Sequence, residues 1–417
     1  MQTIDEIRQG FINFFKENGH KYLPPSKIFI PEDKTVMFTI AGVCQLKDII
    51  LGKKELDFNF SHLVNSQPSI RAGGKRCDIS DVGDNTHLTC FEMLGVWNLL
   101  NCSKETTITL SYKFLIEKCH LNPMQMYATY FGGNEEIQPD LETRDLWKKH
   151  LPDDHIIPGS FKDNFWKMGD VGICGACTEV HYDLVGNRLC PELVNNDPSI
   201  VEIWNNVFME YNKDDTGYHK LDGIKLDCGV GLERLAMIIQ NKTNIYQTDA
   251  FKYLMGYCQV ITNANYYTDD STSLTDRAYR IFADHIRTVT LALFDGVTFG
   301  YNNREYVIRR VFRRMLTYMY LYLLNGKVSP MFDKPVVKLI ISDILNYFGK
   351  RKHDADAIWK QMMDEEKLFI GKITHAKLLV DNALKKSDDK EAIFKDLHES
   401  KGMPIEILEN VDKLSFI

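Results

Sequence analysis

The chain runs to 417 residues, with 50 basic and 57 acidic side chains and a formal net charge of −7. Hydrophobic residues at 44% and charged ones at 26% suit a globular protein and exclude a fibrous or disordered chain. The acidic balance excludes a surface coated in positive charge, though a local basic stripe is enough to hold nucleic acid. At the N-terminus, Asp5, Glu6 and Arg8 stand where a signal peptide would need an apolar centre, which predicts a cytoplasmic protein. Thr3 and Glu6 make a capping-box pattern, and Ile4, Ile7, Phe11, Phe14 and Phe15 recur at helical spacing until Gly19. From 20 to 235 short apolar runs alternate with Gly, Asn and Asp clusters. Runs 36–40, 126–131, 200–211 and 225–228 read as strands, with a helix over 107–119. Beyond 237 the pattern turns helical, and no apolar run reaches the roughly 18 residues of a membrane span. Between 354 and 386, Ile358, Met362, Phe369, Ile373, Ala376, Val380 and Leu384 keep one period and predict one long amphipathic helix. The change of character near 240 predicts two domains, 1–240 and 241–417.

Three segments carry residues suited to chemistry. The first joins 69–75 (SIRAGGK) to 87–93 (HLTCFEM) and reads as strand, loop, strand. Gly73 and Gly74 let backbone approach a ligand, and Arg71 and Lys75 supply charge for phosphate, without the spacing of a P-loop. Taken alone, the segment reads as a surface hairpin. The second, 226–234 (LDCGVGLER), is a Gly-rich strand entering a helix, which sets Asp227, Gly229 and Gly231 on one face. A carboxylate would then lie beside a floor without side chains, although two glycines before a helix equally serve packing. In the third, Cys174, Cys177, His181 and Cys190 are of zinc-ligand type but match no common zinc spacing, so no zinc is predicted. The ten cysteines are irregularly spaced and suit reduced thiols.

Together these segments resemble a known family. Arg71, the spacing His87-x-x-x-Phe91, and 229–234 (GVGLER) resemble motifs 2 and 3 of class II aminoacyl-tRNA synthetases. Within that class, RAGGK at 71–75, FEMLG at 91–95, NFWKMGD at 164–170, CGACTE at 174–179, IWN at 203–205 and ADHIR at 283–287 are similar to alanyl-tRNA synthetases, and in their order. The resemblance implies an α+β fold, an antiparallel sheet flanked by helices, followed by an all-helical tRNA-recognition domain. It implies that alanine attacks the α-phosphate of Mg-ATP, releasing pyrophosphate, and that the ribose at the 3′ end of tRNA(Ala) then takes the alanyl group. Such chemistry depends on charge stabilisation and alignment more than on a protein base. By the same correspondence Arg71 holds the α-phosphate and the alanine carboxylate, and Phe91 and Arg234 sandwich adenine. Lys75, His87, Met93 and Gly231 complete the ATP site. Asp227 pairs with the alanine ammonium, Asn205 binds its carboxyl oxygen, and Val43, Trp166, Val207 and Gly229 shape the methyl pocket. Val43 stands where the family more often has Met.

Towards the acceptor stem, Arg304, Arg309, Arg310, Arg313 and Arg314 fall within eleven residues and suggest a phosphate track. The family reads the G3·U70 pair with an Asn and an Asp. Tyr301, with Asn302 beside it, and Glu399 occupy the corresponding positions here, which leaves strict dependence on that pair open. The family's editing domain and C-terminal oligomerising domain have no counterpart in these residues. An excised fragment and a minimal enzyme both fit, and no editing in cis and a monomer are expected. Two alternatives stand beside a tRNA ligase: a non-catalytic tRNA-binding relative, and an adenylate-forming ligase that loads another acceptor. Intact Arg71, Asp227, Gly229 and Arg234 argue against the first, and the basic segment and ADHIR against the second.

Overall fold

A computed structural model describes residues 2–31, 36–55, 57, 61–74, 76–167, 172–186, 188–264, 268–270, 272–350, 354–385 and 389–416. The chain divides into two compact units. One comprises 1–30, 39–69 and 91–248; the other comprises 31–38, 70–90 and 249–417. The passage between them falls at 248/249, and two segments of the N-terminal half, 31–38 and 70–90, cluster with the C-terminal half.

The first unit is built on a nine-stranded sheet: β1 (Lys21–Tyr22), β2 (His62–Ile70), β3 (Cys90–Asn98), β4 (Met126–Phe131), β5 (Ile156–Gly159), β6 (Phe165–Lys167), β7 (Gly172–Asp183), β8 (Ile200–Asp214) and β9 (Gly217–Gly231). Their order is β1-β2-β3-β9-β8-β7-β4-β5, with β6 also paired to β7. The central ladders β3/β9, β9/β8, β8/β7 and β7/β4 are antiparallel. The sheet is nevertheless mixed, not antiparallel throughout, because β1 joins β2 and β5 joins β4 in parallel. A parallel return needs a long crossover, and the stretches 23–61 and 132–155 supply it. Run 36–40 forms no strand. Thr39 is tied only locally, its N–H to Ile28 O at 2.7 Å and its hydroxyl to Lys27 O at 2.8 Å.

Helix α1 (Ile4–Glu17) starts at the capping box of Thr3 and Glu6 and buries Ile4, Ile7, Phe11, Phe14 and Phe15. It lies against the back of the sheet, where Phe11 meets Trp204 of β8 with ring centroids 5.8 Å apart. Its Arg8 clamps Glu92 of β3 through two bonds of 2.8 and 2.6 Å, and Ser66 of β2 adds a third at 2.7 Å. The helix after the Gly-rich strand, α2 (Leu232–Ile239), turns Glu233 back to accept the Glu92 N–H at 3.0 Å. Buried carboxylates on both sides thus fix β3 against its neighbours.

The second unit is helical: α3 (Lys252–Thr262), α4 (Leu274–Phe294), α5 (Asn303–Tyr318), α6 (Pro335–Tyr347), α7 (Ala355–Thr374), α8 (Ala376–Leu384), α9 (Lys390–Lys401) and α10 (Ile405–Glu409). The single helix expected over 354–386 is in fact two, broken at His375. Thr374 Oγ1 donates to Ile370 O at 2.8 Å and His375 Nδ1 lies 3.0 Å from Gly371 O, so side chains cap the carbonyls of the last turn. Such back-bonding competes with helix continuation.

Candidate active site

The front face of the sheet gathers the predicted ligand residues of the first unit into rows. In antiparallel ladders directly opposed residues share a face. One row runs Gly95, Gly229, Asn205, Glu179 across four strands, and the next runs Trp97, Asp227, Val207, Cys177. Gly231 opposes Met93, and Trp166 opposes Gly175. Leu226, Cys228 and Val230 point into the core, whereas Asp227, Gly229 and Gly231 are only partly covered, as the period of two requires.

Trp97 organises this face. Its indole N–H donates to Asp227 Oδ1 at 2.8 Å, and its ring comes close against two glycines. A Cβ at Gly95 would stand 2.2 Å from the ring and one at Gly42 2.6 Å, so both positions exclude a side chain. Val43, in the short turn Gly42–Leu46, is buried with Trp97, Val207 and Cys177, and Trp166 packs against the same cluster. Asn205 Nδ2 donates to Glu179 Oε1 at 3.1 Å, and Glu179 Oε2 faces His181 Nε2 at 3.1 Å. Burial pushes the Glu179 carboxyl up, with the His181 contact opposing. The Asn205 Oδ1 is buried without a hydrogen-bond partner among the described residues. Gly229 and Met93 lie side by side, with Met93 Sδ 3.1 Å from where a Cβ on Gly229 would be. Arg234 stretches along Glu202, its Nη1 3.3 Å from the backbone oxygen and 3.4 Å from Oε2. Phe91 shares its strand face with Met93, Gly95 and Trp97 and is partly exposed. This face offers a carboxylate and an amide beside a small apolar cluster, chemistry suited to a small ammonium-bearing ligand.

The remaining ATP-site candidates belong to the second unit. Arg71 is set by backbone bonds, its N–H to Thr89 O at 2.9 Å and its carbonyl from Asp78 N–H at 3.0 Å. His87 Nδ1 sits 2.5 Å from Asp84 Oδ2. Burial pushes the Asp84 carboxyl up, but the bonds from His87 outweigh it and hold the group low. Lys75 lies outside the described residues, as do Met168, Gly169 and Asp170 of the NFWKMGD segment.

The five arginines do not form one exposed track. Helix α5 does bury Val307, Val311, Phe312 and Met315 as its apolar side. Arg309 Nε and Arg313 Nε both donate to the buried Glu365, at 2.8 and 2.7 Å. Arg314 Nη1 reaches His285 Nε2 at 2.9 Å. Arg310 is exposed and Arg304 partly so. Tyr301 is 81% exposed with its ring stacked on Arg309 at 4.3 Å, and Asn302 and Glu399 are also exposed. Spacing identifies a helix face but not the acid that waits in the neighbouring helix.

Cys174 and Cys177 lie three apart on β7, hence on opposite faces. Cys174 packs with Phe131 and Phe165, Cys177 with Trp97 and Val207. Among the described residues no three His, Cys, Asp or Glu side chains form a metal-sized group, and no helix is long and apolar enough to cross a membrane.

Sequence reasoning missed Gly95, Trp97 and Glu179 as site residues. The signal was present: continuing the two-residue period from Phe91 and Met93 reaches Gly95 and Trp97, and Glu179 ends the CGACTE segment.

The family described as tRNA synthetases class II (A) matches residues 6–414. The chain is similar to an alanine--tRNA ligase of Schizosaccharomyces pombe, 38% identical over 97% of this chain and 44% of the relative. It is also 38% identical to the cytoplasmic alanine--tRNA ligase of Drosophila melanogaster over 98% of this chain and 44% of that protein. With the alanine--tRNA ligase of Bacteroides thetaiotaomicron the identity is 36%, over 98% and 48%. The chain therefore spans a little under half the length of these relatives.

Proposed function

Since this chain belongs to the class II (A) tRNA synthetases, we propose that it is an alanine--tRNA ligase: it activates alanine with Mg-ATP and transfers the alanyl group to the 3′ end of tRNA(Ala). The observation that carries the choice of amino acid is the grouping of Asp227 and Asn205 with a small apolar cluster on the sheet face. Val43, Val207 and Trp166 pack together on this face and would line the methyl group, and Asp227, held by the Trp97 indole, would supply the charge opposite an ammonium. Asn205, oriented by Glu179, orients the carboxyl end. The carboxylate of alanine attacks the α-phosphorus of Mg-ATP, the bond to the β-phosphate oxygen breaks, and pyrophosphate leaves. Arg71 balances charge on the attacking and attacked groups, while Phe91 and Arg234 cover the two faces of adenine. A ribose hydroxyl of the tRNA then attacks the activated carbonyl and AMP leaves. Met93, Gly231, His87 and, by its place in the matching motif alone, Lys75 complete the proposed nucleotide site. Asn302, Arg304, Arg310 and Glu399 are the exposed candidates for the acceptor stem.

The similarity of the whole chain to alanine--tRNA ligases supports this reading over a tRNA binder without catalysis. The decisive experiment is ATP–pyrophosphate exchange across the amino acids, followed by charging of tRNA(Ala). Exchange with alanine and formation of alanyl-tRNA are expected. Exchange with no amino acid at all would sink the enzyme, and exchange without charging would favour another acceptor. We further read the protein as a cytoplasmic monomer that binds no zinc, since the thiols of Cys174 and Cys177 diverge. Elemental analysis of the purified chain should find well under one zinc per molecule, and a stoichiometric zinc lost in Cys174→Ser would overturn that part.

A further inference from the structure

Within the helical unit, the turn 80–83 is gripped by three arginines from two helices. Arg277 Nη2 donates to Ser80 O at 3.3 Å, Arg280 Nη1 to Gly83 O at 3.2 Å and Arg314 Nη2 to Val82 O at 3.2 Å. Arg280 is itself anchored on Asp269 at 2.9 Å. A second tie holds the end of the same segment. Asp284 of α4 accepts the Thr89 N–H at 2.8 Å and also its hydroxyl, while His285 Nδ1 stands 2.7 Å from Asp284 Oδ2. His285 Nε2 faces Arg314, 2.9 Å away. A guanidinium only donates, so Nε2 must accept, and the ring is neutral with its proton on Nδ1, given to Asp284. Asp284 and His285 are fully buried, so this part of the ADHIR segment is turned inward and presents no surface to RNA. Thr89, at the end of the relay, accepts the Arg71 N–H and so sets where the Arg71 side chain begins.

We propose that Asp284, His285 and Arg314 form a positioning relay that fixes the 80–89 segment, and through Thr89 the backbone of Arg71, for Mg-ATP. The relay also joins that segment to α5, the helix that exposes Arg310. It rests on the adenylate-forming reaction proposed above. Asp284 and His285 are fully buried, so the relay acts on how well ATP is held rather than on bond-making.

The test is alanine-dependent pyrophosphate exchange in the full chain with three variants. Thr89→Val removes the hydroxyl without changing shape, Arg314→Lys keeps the charge but loses the fork, and Thr89→Ser restores the hydroxyl. Thr89→Val and Arg314→Lys should raise the KM for Mg-ATP by roughly fivefold or more, with the KM for alanine within about twofold of wild type. Thr89→Ser should stay close to wild type in both. A fall in kcat alone, with the ATP KM unmoved, would mean a mere scaffold and overturn the relay. If Thr89→Val fails to fold, Arg314→Lys decides; failure of both to fold also overturns the relay in favour of a scaffold. Absence of alanine-dependent exchange in the wild type would instead remove the reaction itself.

Discussion

On the proposed function, Asp227 is the residue on which the amino-acid site turns. Its carboxylate is aimed by the Trp97 indole, which is pinned in turn by the missing side chains of Gly42 and Gly95. A hydrogen bond to a charged group contributes about 1.5–3 kcal/mol, so Asp227→Ala should lower alanine-dependent kcat/KM by about tenfold or more. Steady-state exchange at varied alanine checks this, and a change below about twofold would remove Asp227 from the site. His285 makes a different prediction. Burial holds its ring below the ordinary value of 6.5, with the bond to Asp284 opposing. The unfolded chain takes up a proton near 6.5, while the folded chain takes it up only at lower pH. The contribution to stability is therefore intact above about 6.5 and is lost as pH falls from there towards the lowered value. Urea midpoints at pH 7.5 and pH 5.5 should show a drop in the wild type that narrows in His285→Gln.

Helix α5 shows how one charge pattern divides into two physical roles. Arg309 and Arg313 share the single buried oxygen Glu365 Oε1, and Arg309 also carries the Tyr301 ring. Removing one partner of a buried pair leaves uncompensated charge, although Arg313 remains for Glu365. Arg309→Ala should thus cost up to about 3 kcal/mol of stability. Arg310 is exposed, so Arg310→Ala should leave stability within about 0.5 kcal/mol. It should raise the KM for tRNA and reduce the salt slope of binding by about one. Denaturation curves and charging assays at several salt concentrations separate the two; identical behaviour of both variants would contradict the division.

For the molecule as a whole, the proposed function makes a methyl-sized site the bound on the accuracy of charging. A pocket shaped for a methyl group admits glycine, and serine adds only a hydroxyl, so rejection by binding is limited to roughly 10–200-fold. On the proposed function, a polypeptide of these 417 residues is expected to misactivate both and to clear neither product. Decay of Ser-tRNA and Gly-tRNA in its presence should match the spontaneous rate. Faster hydrolysis, abolished by heating the protein, would reveal a second site.

Much of the site was legible in the chain because strand geometry is local. The two-residue period alone put Asp227, Gly229 and Gly231 on one face, and the capping box alone started α1 at Ile4. What neighbours each strand is not local. Only the ladder register set Asn205 between Gly229 and Glu179 and laid Trp97 opposite Asp227. The same limit explains Arg309 and Arg313 of α5, whose spacing was readable while their shared acid, Glu365, lies 56 and 52 residues away in sequence. It explains the break at His375 as well, since apolar periodicity runs straight through a point where side chains cap the backbone. Local sequence determined which residues face together; tertiary packing decided which of their charges are neutralised inside the protein and which remain for a ligand, because burial and partner distance set the cost of leaving a charge unpaired.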